Sequence, residues 1–365
     1  VEFPPGATSV EVPFELSSSH IYVDVEINGQ GPFHFIFDTG AVNMLTPQAA
    51  QRLGLTVSGN VEATGTGGRQ DAGKTEVKSV AVGGVALRDQ GFYVVELSPT
   101  ETTGRVVDGL IGQGWLSELP TRIDYAASKI TFYPAKGFRY AGAAQATPLY
   151  FRGNRSQVEA SVDGIAGKFT VDTGSSGSLI LFPAFVDKNG LVAKYRPKTQ
   201  IMSAVAGPVY SLLARADRLE FAGATIEHPV TYLSQARSGA AMDEKTGGSL
   251  GSGVLRRFTI TFDYPGKKAY FEPNAAIAAP DLADRSGLRV DAAPGGFKVV
   301  FVAKDSPAMR ANLKAGDIIH SVDERSADGI GLPAFRESLK GAVGTRVTFE
   351  LVGGNGPTVL ELADL

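Results

Sequence analysis

Two Asp-Thr-Gly triplets, Asp38-Thr39-Gly40 and Asp172-Thr173-Gly174, each close an apolar run in this 365-residue chain. The first follows Phe33-His34-Phe35-Ile36-Phe37 and the second follows Lys168-Phe169-Thr170-Val171. A carboxylate at the end of a buried strand is costly unless it is hydrogen-bonded or paired. Two such groups in contact cannot both ionise easily, so they share a proton. The ionised member can then deprotonate a water while the protonated member donates to a carbonyl oxygen. That is general acid–base hydrolysis of an amide, with neither metal nor covalent intermediate. Thr39 and Thr173 carry hydroxyls able to bond across a seam, and Gly40 and Gly174 let a backbone N–H approach each carboxylate. The next position differs, Ala41 against Ser175. The Ser175 hydroxyl is expected to donate to Asp172 and favour its charged form, which makes Asp172 the base and Asp38 the proton holder. With one such hydroxyl missing, activity is expected to reach less acidic pH than in a pair with two.

The elements that must position these residues form an internal repeat. Ile27-Asn28-Gly29 matches Val162-Asp163-Gly164, each a hairpin turn into the Asp-Thr-Gly strand. Thr46-Pro47 opens a short helix that stops at Gly54, and Phe182-Pro183 opens its mate, which stops at Gly190. Gly109-Leu110-Ile111-Gly112 pairs with Gly248-Ser249-Leu250-Gly251, and Ile123-Asp124-Tyr125 with Phe262-Asp263-Tyr264, both at an offset of 139 positions. The triplets themselves are 134 apart, a drift that loop insertions explain. Each half is mostly short alternating strands, so the chain is mainly β, with two lobes at 1–140 and 141–275. Linkers fall at Ala141–Pro148 and Asn274–Pro280. Residues 281–365 change character and read as a small α+β domain, with strands at 299–302, 318–322, 346–352 and 358–362 and helices at 307–313 and 333–340.

Composition narrows the function classes. Charged residues make up 20% of the chain and the net charge is −3, with no basic stripe for nucleic acid and no run long enough to span a bilayer. Cysteine is absent, which removes thiol catalysis and Cys-ligated zinc. His20, His34, His228 and His320 are scattered without metal-ligand spacing, so no metal or cofactor is expected. Gly65–Gly68 lacks the Gly-Lys-Ser/Thr ending of a phosphate loop. Gly247-Gly248-Ser249-Leu250-Gly251 fits a serine-hydrolase elbow on paper, but it lies in a β lobe as the repeat mate of the Gly112 region, so Ser249 is read as structural. Trp115 reads as core, and Asp124 and Asp263 as acids bonded to backbone. The chain starts at Val1, and a cleaved signal peptide, hence a periplasmic or secreted protein, is the expectation.

The paired triplets, each followed by a hydrophobic-hydrophobic-Gly element, resemble the pepsin/retropepsin aspartic peptidases over residues 20–273. The run Asp108-Gly109-Leu110-Ile111-Gly112-Gln113-Gly114-Trp115-Leu116 is similar to the bacterial retropepsin-like branch. The resemblance implies two pseudo-symmetric acid-protease β-barrel lobes. It also implies an aspartic endopeptidase acting on peptide or unfolded protein, with Asp38 and Asp172 as the dyad and Thr39 and Thr173 as an inter-lobe brace. A flap hairpin closes over substrate in that family. The run Thr64-Gly65-Thr66-Gly67-Gly68 is the candidate in the first lobe, and Ser203–Tyr210 the matching segment. Gly295-Gly296-Phe297, Ser306-Pro307-Ala308 and Leu313–Ile319 resemble a bacterial PDZ domain, which implies peptide binding by strand addition. Gly295–Phe297 is then the expected carboxylate cradle and the helix from Pro333 to Lys340 the groove wall. An inactive peptide-binding adaptor on the same fold is the competing reading. Both triplets in one chain make a monomer simpler than a dimer.

Overall fold

The apolar runs that end in the two triplets are the strands Gln30–Phe37 and Ile165–Val171 of a computed structural model. It describes every residue except 66–67, 98–102 and 205–207. Each strand is entered through a two-residue turn with both residues in the left-handed region, Asn28-Gly29 at φ 53° and 73° and Asp163-Gly164 at φ 51° and 83°. That geometry matches the right-handed twist of the flanking strands, and Asn-Gly and Asp-Gly adopt it at little cost. Each strand then pairs in parallel with a short strand, Gly109–Ile111 or Gly248–Leu250. Those in turn pair antiparallel with Met44–Leu45 and Leu179–Leu181. Leu110 lies beside Ile36 and Ser249 beside Thr170, so Leu110 and Ser249 are structural counterparts.

Around these strands the first lobe builds an eight-stranded sheet and the second a ten-stranded one. A further six-stranded sheet joins them, where Thr121–Asp124 pairs antiparallel with Phe258–Asp263. In that register Arg122 faces Thr261, its own mate in the repeat, so the pseudo-two-fold axis passes through this pair. One hydrophobic core runs through both lobes, with Trp115 fully buried against Phe132 at a ring separation of 5.2 Å. The helix Pro47–Arg52 is capped by Thr46 Oγ1, which accepts from Ala49 N at 3.1 Å, and Gly54 follows at φ 64°. Its mate Pro183–Lys188 is followed by Gly190 at φ 61° and then a second short helix, Leu191–Tyr195.

The C-terminal domain has its own core and a sheet in the order Leu288–Ala293, Gly296–Val302, Ile318–Val322, Arg346–Leu351, Thr358–Glu361. The helix expected over 307–313 ends at Arg310, because Asn312 turns into the left-handed region at φ 59°. The groove helix spans Leu332–Ser338. The Gly295–Phe297 cradle is a correction. Gly295, at φ 84°, turns the hairpin between the first two strands. Gly296 and Phe297 belong to an internal strand with neighbours on both sides, and the Phe297 ring stacks on Phe335 in the core at 4.7 Å. Amides used in a sheet ladder are not free to hold a carboxylate. The two edges of the sheet are Leu288–Ala293 and Thr358–Glu361.

The linker into this domain is pinned to the second lobe. Arg257, buried, donates through Nη1 to the carbonyls of Ala276, Ile277 and Ala279, at 3.2, 3.2 and 2.5 Å. It also faces Asp281 at 3.8 Å, and Asp281 Oδ2 accepts from Val230 N at 2.8 Å.

Candidate active site

Each triplet hangs from its strand by the same bonds. Asp38 N donates to Ile111 O at 2.9 Å, and Asp172 N to Leu250 O at 3.0 Å. The two threonines then interlock across the seam. Thr39 N donates to Thr173 Oγ1 and Thr173 N to Thr39 Oγ1, both at 3.0 Å. Thr39 Oγ1 donates on to Val171 O at 2.8 Å, and Thr173 Oγ1 to Phe37 O at 2.7 Å. Both threonines are fully buried, so every one of these groups would be unsatisfied without its partner.

The brace brings the two carboxyls together, close enough that each acts on the other's proton affinity. Gly40 N donates to Asp38 Oδ1 at 2.8 Å and Gly174 N to Asp172 Oδ1 at 3.0 Å. Each glycine also backs the carboxylate of the opposite lobe. A Cβ on Gly40 would lie 2.7 Å from the Asp172 carboxyl carbon, and one on Gly174 would collide with the Asp38 carboxylate. No other residue fits either position without moving the dyad.

The two acids differ electrostatically. Burial raises Asp38, and repulsion from Asp172 raises it further. Burial raises Asp172 as well, but the Gly174 N–H and then the Ser249 hydroxyl pull it back down. The Gly40 and Ala41 N–H groups pull Asp38 down in the same way, so the Ser249 hydroxyl is what sets the two surroundings apart. The hydroxyl responsible is not the one expected. Ser249 Oγ donates to Asp172 Oδ2 at 3.4 Å, while the Ser175 N–H turns back to the Asp172 carbonyl at 3.3 Å, as the Ala41 N–H does to the Asp38 carbonyl. In the first lobe Leu110 takes the place of Ser249, and its side chain has nothing to donate.

His20 also reaches the site: its Nε2 donates to Gly174 O at 3.0 Å. Burial pushes its pKa below the usual imidazole range, with the Arg336 guanidinium adding to the effect. Sequence reasoning assigns neither His20 nor Ser249 to the dyad, since Ser249 reads there as structural and His20 as one of four scattered histidines. The signal for Ser249 was a polar residue in a run whose repeat mate is apolar. His20 had none, since its partner lies 154 positions away. Asp124 and Asp263 instead hold turns, accepting from Ala127 N and Gly266 N.

The Thr64–Gly68 run is the tip of the hairpin Ser58–Thr64 and Arg69–Val82, with Thr66 and Gly67 outside the described residues. Gly65 O accepts from Ala240 N at 3.1 Å, so this tip reaches across to the second lobe. The corresponding hairpin of the second lobe, Thr199–Ala204 and Pro208–Arg215, leans on the C-terminal domain instead. Its Tyr210 meets Phe301 edge-to-face at 6.1 Å.

Comparison with known families agrees with this geometry. A family model described as aspartyl protease matches residues 23–115 and 158–254, once in each lobe. A PDZ domain model matches residues 299–352. No curated protein matches the chain.

Proposed function

The chain belongs to the aspartyl protease family, and we propose that it is an active endopeptidase. Asp172 is the general base and Asp38 the general acid. In the singly protonated dyad, Asp172 takes a proton from a water held between the carboxyls as that water attacks the scissile carbonyl carbon. Asp38 donates its proton to the carbonyl oxygen. The tetrahedral diol then collapses, the C–N bond breaks, and the proton on Asp172 passes to the leaving amine, while Asp38 recovers its own from the diol hydroxyl. The observation that supports this reading is the pair of adjacent buried carboxyls, each backed by the glycine of the opposite lobe, an arrangement known from other aspartic-protease dyads. The test is cleavage of an unfolded protein by wild type, Asp38→Asn and Asp172→Asn. Loss of about 10³-fold or more in each variant is expected. Retained cleavage in either one, or a wild type inert from pH 3 to 8, overturns it and leaves the adaptor reading.

The PDZ domain is proposed to regulate access. Its strand-addition edge faces the protease body, because Thr199–Ala204 runs within 8 Å of Leu288–Ala293, Cα to Cα. Val299 directs both its N–H and its C=O to the 316–317 turn, so Val290 opposite it directs its own outward. That outward Val290 carbonyl already accepts from Arg336 Nη2 at 2.6 Å. A peptide strand would lie about 4.8 Å out from the edge. It would have to displace both Arg336 and the second-lobe hairpin. A double-mutant cycle on Tyr210→Ala and Phe301→Ala reads this coupling. Each single change is expected to alter kcat/KM, with no further change in the double; strictly additive effects would refute it.

A further inference from the structure

His20 acts at a point that the reaction above leaves unassigned. It opens the strand His20–Ile27 directly after Ser18 and Ser19, which hold φ at 48° and 66°. Turns of this kind suit Asn-Gly, and each serine in the left-handed region costs about 1–2 kcal/mol. The turn delivers a ring that crosses the lobe seam to the Gly174 carbonyl. A carbonyl only accepts, so the proton is on Nε2. The residue that carries this oxygen, Gly174, also donates its own N–H to Asp172 Oδ1 at 3.0 Å, a bond that favours the charged form, while the Ser175 N–H of the next peptide ties back to the Asp172 carbonyl at 3.3 Å. A glycine held at its carbonyl by a fixed donor keeps its N–H aimed at the carboxylate.

We propose that His20 is a positioning residue of the dyad, which holds Gly174 so that its N–H stays on the Asp172 carboxylate and Asp172 stays ionised as the base. This rests on the dyad reading above. The repeat explains why the effect is one-sided. The counterpart of His20, counted from the paired turns, is Arg155, and Arg155 is committed to Ala240 O at 3.4 Å and to Asp243 at 3.6 Å. The charged and titratable groups around His20 are Arg336 from the PDZ helix and Tyr22 on its own strand. Arg105, paired with Glu15, lies over the Tyr22 ring at 5.0 Å. Those facing Asp172 are Asp38, the Ser249 hydroxyl and the buried phenols of Tyr125 and Tyr264.

The experiment is a carboxyl-¹³C NMR titration of the full chain with labelled aspartate, the dyad signals assigned with Asp38→Asn and Asp172→Asn. His20→Phe is expected to raise the lower apparent pKa of the dyad by about one unit, a tenfold change in equilibrium. His20→Gln, whose amide can still donate, restores most of it. In turnover, His20→Phe lowers kcat about tenfold near the acid limb with KM unchanged, and His20→Gln recovers it. Should His20→Phe fail to fold, His20→Asn, polar but too short to reach, is expected to show the same shift. A folded His20→Phe or His20→Asn with the wild-type titration overturns the proposal, as does a His20→Gln that titrates like His20→Phe. The NMR readout does not depend on turnover. A shift without Asp38-dependent cleavage supports the positioning role and removes the peptidase reading; cleavage without a shift does the reverse.

Discussion

Asp38 and Asp172 end equivalent strands in two copies of one fold, but two differences separate their surroundings. Leu110 stands where the second lobe has Ser249, and Arg155 is spent on Asp243 where its mate His20 reaches across to Gly174, whereas Ala41 and Ser175 make the same backbone bond. The brace below them is nearly symmetric, with matched bonds of 2.7 to 3.0 Å. Symmetry is thus kept where it sets distance and relaxed where it sets proton affinity. A backbone scaffold can be duplicated without loss; two identical carboxyls in contact would still share one proton, and what unequal surroundings add is a bias in which of the two holds it.

The largest effects should come from attacking the symmetric part. Thr39→Val and Thr173→Val each strand a buried N–H and a buried carbonyl, and each should cost about 2–4 kcal/mol in urea unfolding. The two values should agree within about 1 kcal/mol; a larger gap would show that the brace is not shared equally. Gly40→Ala and Gly174→Ala should next lower kcat/KM by about 100-fold, since a displacement near 1 Å at a reacting group costs that much. Gly174→Ala should be the worse, because its methyl collides head-on with Asp38.

The pH dependence sharpens the comparison further. The folded-state pKa of Asp38 is raised, so the stability it confers is complete below its unfolded value and lost as pH rises through the folded one. Asp38→Asn should flatten the fall in stability from about pH 4 upward by on the order of 2 kcal/mol, read from unfolding at several pH values. The smallest change is expected from Ser249→Ala. It removes a long hydrogen bond and should move the acid limb of the rate profile up by about half a unit, with Leu110→Ala leaving that limb in place.

Local chemistry was legible in the sequence, and contact across the seam was not. Asn28-Gly29 and Asp163-Gly164 announce their turns because few residues tolerate those φ values. Thr46-Pro47 announces its helix because the cap lies within three residues. The paired triplets announced a dyad because they recur in register. The identity of the hydroxyl beside Asp172 was misread, since Ser175 adjoins it in sequence while Ser249 adjoins it through a parallel strand pairing. Gly295-Gly296-Phe297 was misread for a related reason. Glycine at positive φ serves a hairpin as well as a ligand loop, and only the pairing of Gly296–Val302 on both sides decides between them.

The antiparallel pairing of Thr121–Asp124 with Phe258–Asp263 has a consequence for dilution. A site assembled from two separate chains dissolves as concentration falls, by mass action. Here the two halves are held in one sheet by one polypeptide, so their effective concentration is fixed by covalent connection. Half-occupied or half-assembled sites do not arise, however few molecules are present. Covalent linkage also frees each half from having to complement a copy of itself, so a difference such as Ser249 against Leu110 can be confined to one side of the site.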